Sequence, residues 1–150
     1  MPLIQYSDDW TLREARSRYF DMAGLDAGGY DDAWVVFRAG VIPIGVVPNS
    51  AQRVRSVRLH DVHHVLTGYD TSWLGEAEIA AWELASGCAD HGAAWFFNSF
   101  AAVIGLFISP RAVRAAALRG REQKNLYDGE WDEALLDRRV GELRADLEIE

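Results

Sequence analysis

His60, Asp61 and His64 stand in the run His60-Asp61-Val62-His63-His64, and Glu76 follows His64 after eleven intervening residues. On a helix, residues four apart lie one above the other, so His60 and His64 share a face and Asp61 is turned about 100° from His60. Val54, Val57 and Val65 project into the same sector, which turns the polar trio inward. Imidazole and carboxylate buried without partners are costly, so something must satisfy them. His64 lies four residues before Gly68 and Glu76 four after Ser72, each one turn from the same connection. Two helices folded back antiparallel across Gly68 to Ser72 would bring the Glu76 carboxylate level with the imidazoles, with Gly75 permitting close helix approach. Two histidines and two carboxylates then form an N₂O₂ set. Such a set suits Zn²⁺ in tetrahedral geometry, and Fe²⁺, Mn²⁺ or Mg²⁺ where waters expand the shell. The alternative is a metal-free buried hydrogen-bond network of the same four residues. His63, turned about 60° from His60 away from Asp61, is assigned either to supporting the site or to solvent.

The elements that must position these residues are helical. Asp8 and Asp9 precede Trp10, Leu12, Ala15, Tyr19, Phe20 and Ala23 at helical spacing, predicting a first helix from about Asp9 to Ala23, stopped by Gly24. Asp31 and Asp32 are read as opening a second helix, Ala33 to Ala39, ended by Gly40. Val41 to Asn49, with Pro43, Gly45 and Pro48, reads as an extended apolar arm packed on the core. Ser50 caps the third helix, which carries the histidines and stops at Gly68. Asp70, Thr71 or Ser72 starts a fourth, reaching about Gly87. Residues 92–110 carry no charge. Asn98 and Ser99 in their middle, Gly92, Gly105 and the following Pro110 argue for a fifth helix buried on all sides, ahead of a lipid-cavity wall or a membrane span. Pro110 starts a sixth helix ending near Gly120, and a last one runs from about Trp131 to Leu147. The absence of alternating strand patterns and internal repeats predicts a single all-α bundle of six to seven helices.

Composition narrows the function classes. Fifteen Lys and Arg against 23 Asp and Glu give a net charge of -8, which repels nucleic-acid phosphates. The one cysteine, Cys88, has no internal partner and is assigned to the core, and the opening residues form no secretory leader, so a cytoplasmic protein is expected. Six Trp and 49% hydrophobic residues favour a homodimer. Tyr69, beside the turn, and Arg111 and Arg114 on the sixth helix are candidate substrate contacts; ordinary packing and a solvated basic face are the competing readings.

The run His60 to Tyr69, with Gly75-Glu76 downstream, closely resembles the signature of the coenzyme Q (ubiquinone) biosynthesis protein four family. The resemblance continues through Arg119-Gly120-Arg121, Leu126 to Trp131, Leu135-Leu136, Glu142-Leu143-Arg144 and Leu147, and more weakly over the N-terminal third. It implies a helical fold in which His60, Asp61, His64 and Glu76 hold a divalent metal beside an apolar cavity for a polyprenylated ring, with Gly92 to Ser109 and Val41 to Val47 as the places to look for that cavity. It also implies a role in ubiquinone synthesis, either oxidative decarboxylation at ring carbon one or the non-catalytic organisation of other quinone-biosynthesis proteins by a lipid-binding subunit. The chain lacks the mitochondrial leader of eukaryotic members, which points to a bacterial homologue, with peripheral contact at the inner face of the cell membrane. It has Asp137-Arg138-Arg139-Val140 where the family more often shows a proline-leucine pair, which leaves room for a paralogue with another substrate.

In the enzyme reading Asp61 or Glu76 acts as base. A metal-dependent phosphohydrolase ranks third, because such enzymes need further His and Asp ligands and His91 is the only other histidine.

Overall fold

The computed structural model describes residues 3–24, 30–39 and 42–150. Among them are six α-helices: α1 (Leu12–Ala23), α2 (Ala51–Thr67), α3 (Trp73–Ser86), α4 (Gly92–Ile108), α5 (Pro110–Arg121) and α6 (Val140–Asp146), with one 3₁₀ helix at Glu133–Asp137. The fold is a helical bundle, as the periodicity requires. The one sheet among the described residues is an antiparallel hairpin of β1 (Trp34–Ala39) and β2 (Ile42–Pro48) between α1 and α2.

That hairpin corrects the second predicted helix. Trp34, Val35 and Val36 pair with Pro48, Val47 and Val46. Branched and aromatic side chains suit a pleated surface, and this preference overrides the helix-opening Asp31-Asp32. Both strands of a two-stranded ribbon are edge strands, where prolines such as Pro43 and Pro48 are tolerated. The arm is extended, as expected, but Val46 is exposed instead of packed on the core. Gly40 and Val41, read as a helix stop and the start of the arm, lie outside the described residues. Asn49 closes the base of the hairpin by donating to the carbonyls of Tyr30 and Asp32.

The helix carrying the histidines is fixed at both ends. The Ser50 hydroxyl accepts from the Arg53 amide, and Gly68 adopts a left-handed φ of 79° with its N–H on the His64 carbonyl. A side chain at Gly68 would also strike the Ile4 carbonyl at 2.4 Å, so glycine is required there on two counts. Arginines from far along the chain complete this terminus. Arg144 donates to the carbonyls of Leu66 and Val65, and Arg119 to that of Thr67. Cations belong at this negative end of a helix. Ser72 caps α3 by accepting from the Gly75 amide.

α3 is the centre of the bundle and packs on both α4 and α5. Close approach occurs at glycines: a Cβ on Gly105 would lie 2.3 Å from that of Ala77, and one on Gly120 would lie 2.4 Å from the Trp82 carbonyl. Gly75 serves a different purpose from the one expected. A Cβ there would meet the Asp70 carbonyl at 2.2 Å, so it admits the turn rather than a neighbouring helix. The core joins Leu12, Ala15 and Tyr19 of α1 to Val62, Val65 and Leu66 of α2, Ile79 and Trp82 of α3, and Leu136 and Leu143.

Three further expectations change. α1 starts at Leu12, where Thr11 and Glu14 form a reciprocal capping box. The last predicted helix is broken, because Leu12 donates to the Arg138 carbonyl and Val140 to that of Trp10, pulling 138–140 into extended backbone beside α1. α4 is not buried on all sides. Only Ala94, Asn98 and Gly105 are buried, and Trp95, Phe96, Phe100, Val103, Leu106 and Phe107 form an exposed stripe. No helix among the described residues is long and apolar enough to cross a membrane.

Candidate metal centre

α2 and α3 bring three of the four predicted ligands together. Ligand atoms of His60, His64 and Glu76 lie within 4.8 Å of one another, a group that can hold a metal ion. The two Nε2 atoms are 3.2 Å apart. Glu76 Oε2 lies 3.4 Å from His60 Nε2, and Oε1 lies 3.4 Å from His64 Nε2.

The outer nitrogens decide what this convergence means. His64 Nδ1 is 2.9 Å from the Tyr69 carbonyl, which can only accept, so the proton of neutral His64 is on Nδ1. His60 Nδ1 is 3.0 Å from Glu83 Oε1 and donates to that carboxylate. Each imidazole therefore turns an Nε2 lone pair towards the other and towards the Glu76 oxygens. Acceptors converging in this way repel unless a cation lies among them. Set against models of known protein families, curated proteins and solved structures, the chain has no match.

In the absence of a metal, the cation is a proton. Burial opposes charge on His60, yet the Glu83 carboxylate and hydrogen bonds to Glu76 and Glu83 raise its pKa well above the ordinary imidazole value. Burial would also raise the Glu76 carboxyl, but the facing His64 and His60 rings hold it well below the usual carboxylate range. The site is built for positive charge. Two imidazoles, each anchored through its other nitrogen, and a carboxylate make a donor set that could hold a metal ion.

Asp61, the fourth predicted ligand, stands beside this group and is not among the converging atoms. Its buried carboxylate accepts from the hydroxyls of Tyr30 and Tyr19, the latter at 3.4 Å. Burial raises its pKa, partly offset by the Tyr30 hydrogen bond. The Tyr19 ring also stacks on His64, with centroids 5.2 Å apart. Tyr19 and Tyr30 are site residues that sequence reasoning missed. They come from α1 and the base of the hairpin, and no local pattern links them to α2.

Glu83 is the other omission. It is completely buried on α3 and accepts from His63 at 2.6 Å as well as from His60. A signal existed: Glu83 lies seven residues after Glu76, on the same face of α3, and ends the apolar run Ile79 to Trp82. A charge in such a run needs a buried partner. His63 is fully buried, so of its two expected places the supporting one is correct.

The remaining candidates divide. Tyr69 reaches the site through its carbonyl, while its buried ring lies under the Arg119 guanidinium. Arg111 and Arg114 are exposed on α5, with no hydrogen bond or ion pair to the site. His91 is held by Ser56 and Arg55, and Cys88 is buried with its thiol pushed up to about 12 by burial and the Glu83 charge. A cleft of about 200 Å³, lined by Ile4, Tyr6, Tyr19, Met22 and the turn 70–72, opens beside the Tyr19 ring.

Proposed function

We propose that this protein binds a divalent metal at His60, His64 and Glu76 and acts on, or presents, a polyprenylated aromatic molecule in ubiquinone biosynthesis. The observation that carries the metal assignment is the convergence of two anchored Nε2 lone pairs and a carboxylate on one point. The assignment to quinone synthesis rests on the family resemblance of the His60-to-Tyr69 run and Glu76. Zn²⁺ is the first choice for two imidazoles and a carboxylate, with Fe²⁺, Mn²⁺ or Mg²⁺ admitted if water completes the shell.

When bound, the ion would supply Lewis acidity for a ring carboxylate. The chain's own residues would do the rest. Asp61 would serve as a fourth ligand or hold a proton, with its hydrogen-bond partners Tyr19 and Tyr30 able to exchange it. The cleft lined by Tyr19 is our candidate for the ring. Replacing a ring carboxylate by hydroxyl releases carbon dioxide and removes two electrons, so an oxidant such as dioxygen must arrive with the substrate.

One observation favours the organiser reading. Residues 91–121 contain Arg111, Arg114, Arg119 and Arg121 and no acid, in a chain whose net charge is -8. The exposed aromatic stripe of α4 lies in the same stretch, with Phe107 88% exposed. An exposed apolar face followed along the chain by exposed arginines on α5 suits an anionic lipid surface. Such a face would let the protein collect a membrane-dissolved prenyl substrate or pass it to other enzymes, and a homodimer is the other use of the same surface.

Metal content by mass spectrometry on wild type and His64→Ala tests the first step. Stoichiometric metal that disappears in the variant is expected; metal in neither, even after addition of Zn²⁺, Fe²⁺ or Mn²⁺, would overturn it. Incubation with a prenylated hydroxybenzoate then separates the roles. Glu76→Gln that abolishes turnover but retains lipid binding supports the enzyme, and lipid binding without turnover in wild type supports the organiser.

A further inference from the structure

We propose that Glu83 is the positioning residue of the metal centre: its buried carboxylate turns the Nε2 lone pair of His60 into the space shared with His64 and Glu76. This deepens the metal assignment and rests on it.

The argument is one of satisfied acceptors. Four donors meet the Glu83 carboxylate, two on each oxygen. Oε1 takes His60 Nδ1 at 3.0 Å and His63 Nδ1 at 2.6 Å; Oε2 takes the Asn98 amide at 2.5 Å and the Tyr127 hydroxyl at 3.0 Å. An ionised carboxylate has about four lone-pair sites, so the group is filled. Glu83 is fully buried and His63 and Tyr127 nearly so, which removes water as a substitute partner.

The direction of each bond follows from its neighbours. The Leu126 amide donates to His63 Nε2 at 3.0 Å, so neutral His63 carries its proton on Nδ1 and must give it to Glu83. Asn98 and Tyr127 hold the other oxygen from α4 and the chain beyond α5. Glu83 is thus fixed from three sides before it meets His60, whose ring is the one imidazole of the trio with partial exposure. With Nδ1–H given to Glu83, the His60 lone pair can point only to the Nε2 side. A carboxylate behind a metal-binding imidazole orients the ring, makes it a stronger donor, and typically affects affinity about 10–100-fold.

Binding of Zn²⁺ measured by chelator competition, with ¹⁵N-histidine NMR of the same samples, tests the assignment. In the Zn²⁺-loaded wild type, His60 should carry metal on Nε2 and hydrogen on Nδ1. Glu83→Gln should weaken Zn²⁺ by about 10–100-fold and introduce a second His60 tautomer, because a carboxamide oxygen has lone pairs for only two of the four donors. Tyr127→Phe, which removes a donor from the other oxygen, should stay within about threefold of wild type, since the His60 bond remains. Affinity of Glu83→Gln within that same range, or metal on His60 Nδ1 in the wild type, would overturn the proposal. Should Glu83→Gln not fold, the wild-type spectrum decides alone. Should the wild type bind no Zn²⁺, the metal assignment fails separately. The metal-free spectrum above the His60 titration then still reads Glu83's role: Nδ1–H supports it and Nε2–H refutes it.

Discussion

Metal binding here should be a proton exchange, and its pH dependence can be worked out from the site. In the metal-free protein His60 is raised well above the ordinary imidazole value of 6.5, so at pH 7 it carries a proton that the ion must displace. While that proton is present, each unit fall in pH lowers apparent affinity by about one decade, or about 1.4 kcal/mol. An unperturbed imidazole would confine this slope to below about pH 6.5. Here the slope should persist through pH 7 and flatten only above the raised value. Calorimetric titration with Zn²⁺ at pH 7 in two buffers of different ionisation enthalpy counts the protons released, and about one is expected from His60. Chelator competition between about pH 6 and 8.5 gives the slope. No proton released at pH 7, with affinity flat down to about 6.5, would refute the reasoning, because His60 would then be held neutral before metal arrives.

Other perturbations should read out the fold and the same charges. Metal-free stability, followed by urea midpoint, should carry a contribution from Glu76, Glu83 and His60 that is complete between about pH 4.5 and 6.5, while buried neutral His63 and His91 oppose it by costing stability as pH falls below 6.5. The depressed Glu76 and Glu83 contribute fully above their unfolded value of 4.5, with the contribution lost as pH falls through their folded values. The raised His60 contributes fully below 6.5, with the contribution lost as pH rises through its folded value. Gly105→Ala should lower stability by about 1–3 kcal/mol, since its methyl would meet Ala77 and Val113 in a filled contact; thermal unfolding measures it. Thr11→Ala, which removes the capping box of α1, should cost about 1 kcal/mol by the same assay.

The parts of this molecule legible in its sequence are those determined by neighbours along the chain. The Ser50 cap, the Gly68 stop and the Ser72 restart are local, and together they fix the fold-back that brings Glu76 level with His60 and His64. Glu83 was half-visible as an isolated charge in an apolar run, but its donors Asn98 and Tyr127 come from other elements. Asp61 was read as a ligand because its angle on α2 is right. Helical periodicity turns its partner Tyr19 inward but does not say which element Tyr19 meets, and Tyr30 lies outside any helix. The hairpin was missed because paired acidic residues imitate a helix start, and pairing with a partner strand outweighs that hint. The uncharged stretch of α4 identifies a helix correctly, but burial on all sides does not follow from it, because apolar composition carries no record of which side the neighbouring helices cover.

The arginines that finish α2 have a consequence for how the protein is made. Arg144 is separated from Leu66 by 78 positions, and Arg119 from Thr67 by 52. A nascent chain emerging from the ribosome therefore presents His60, His64 and Glu76 long before the end of the helix bearing the two histidines can be secured. Any ion captured early at those side chains would meet an unfinished scaffold, whose helix end is secured only after the segment bearing Arg144 has been synthesised and has docked.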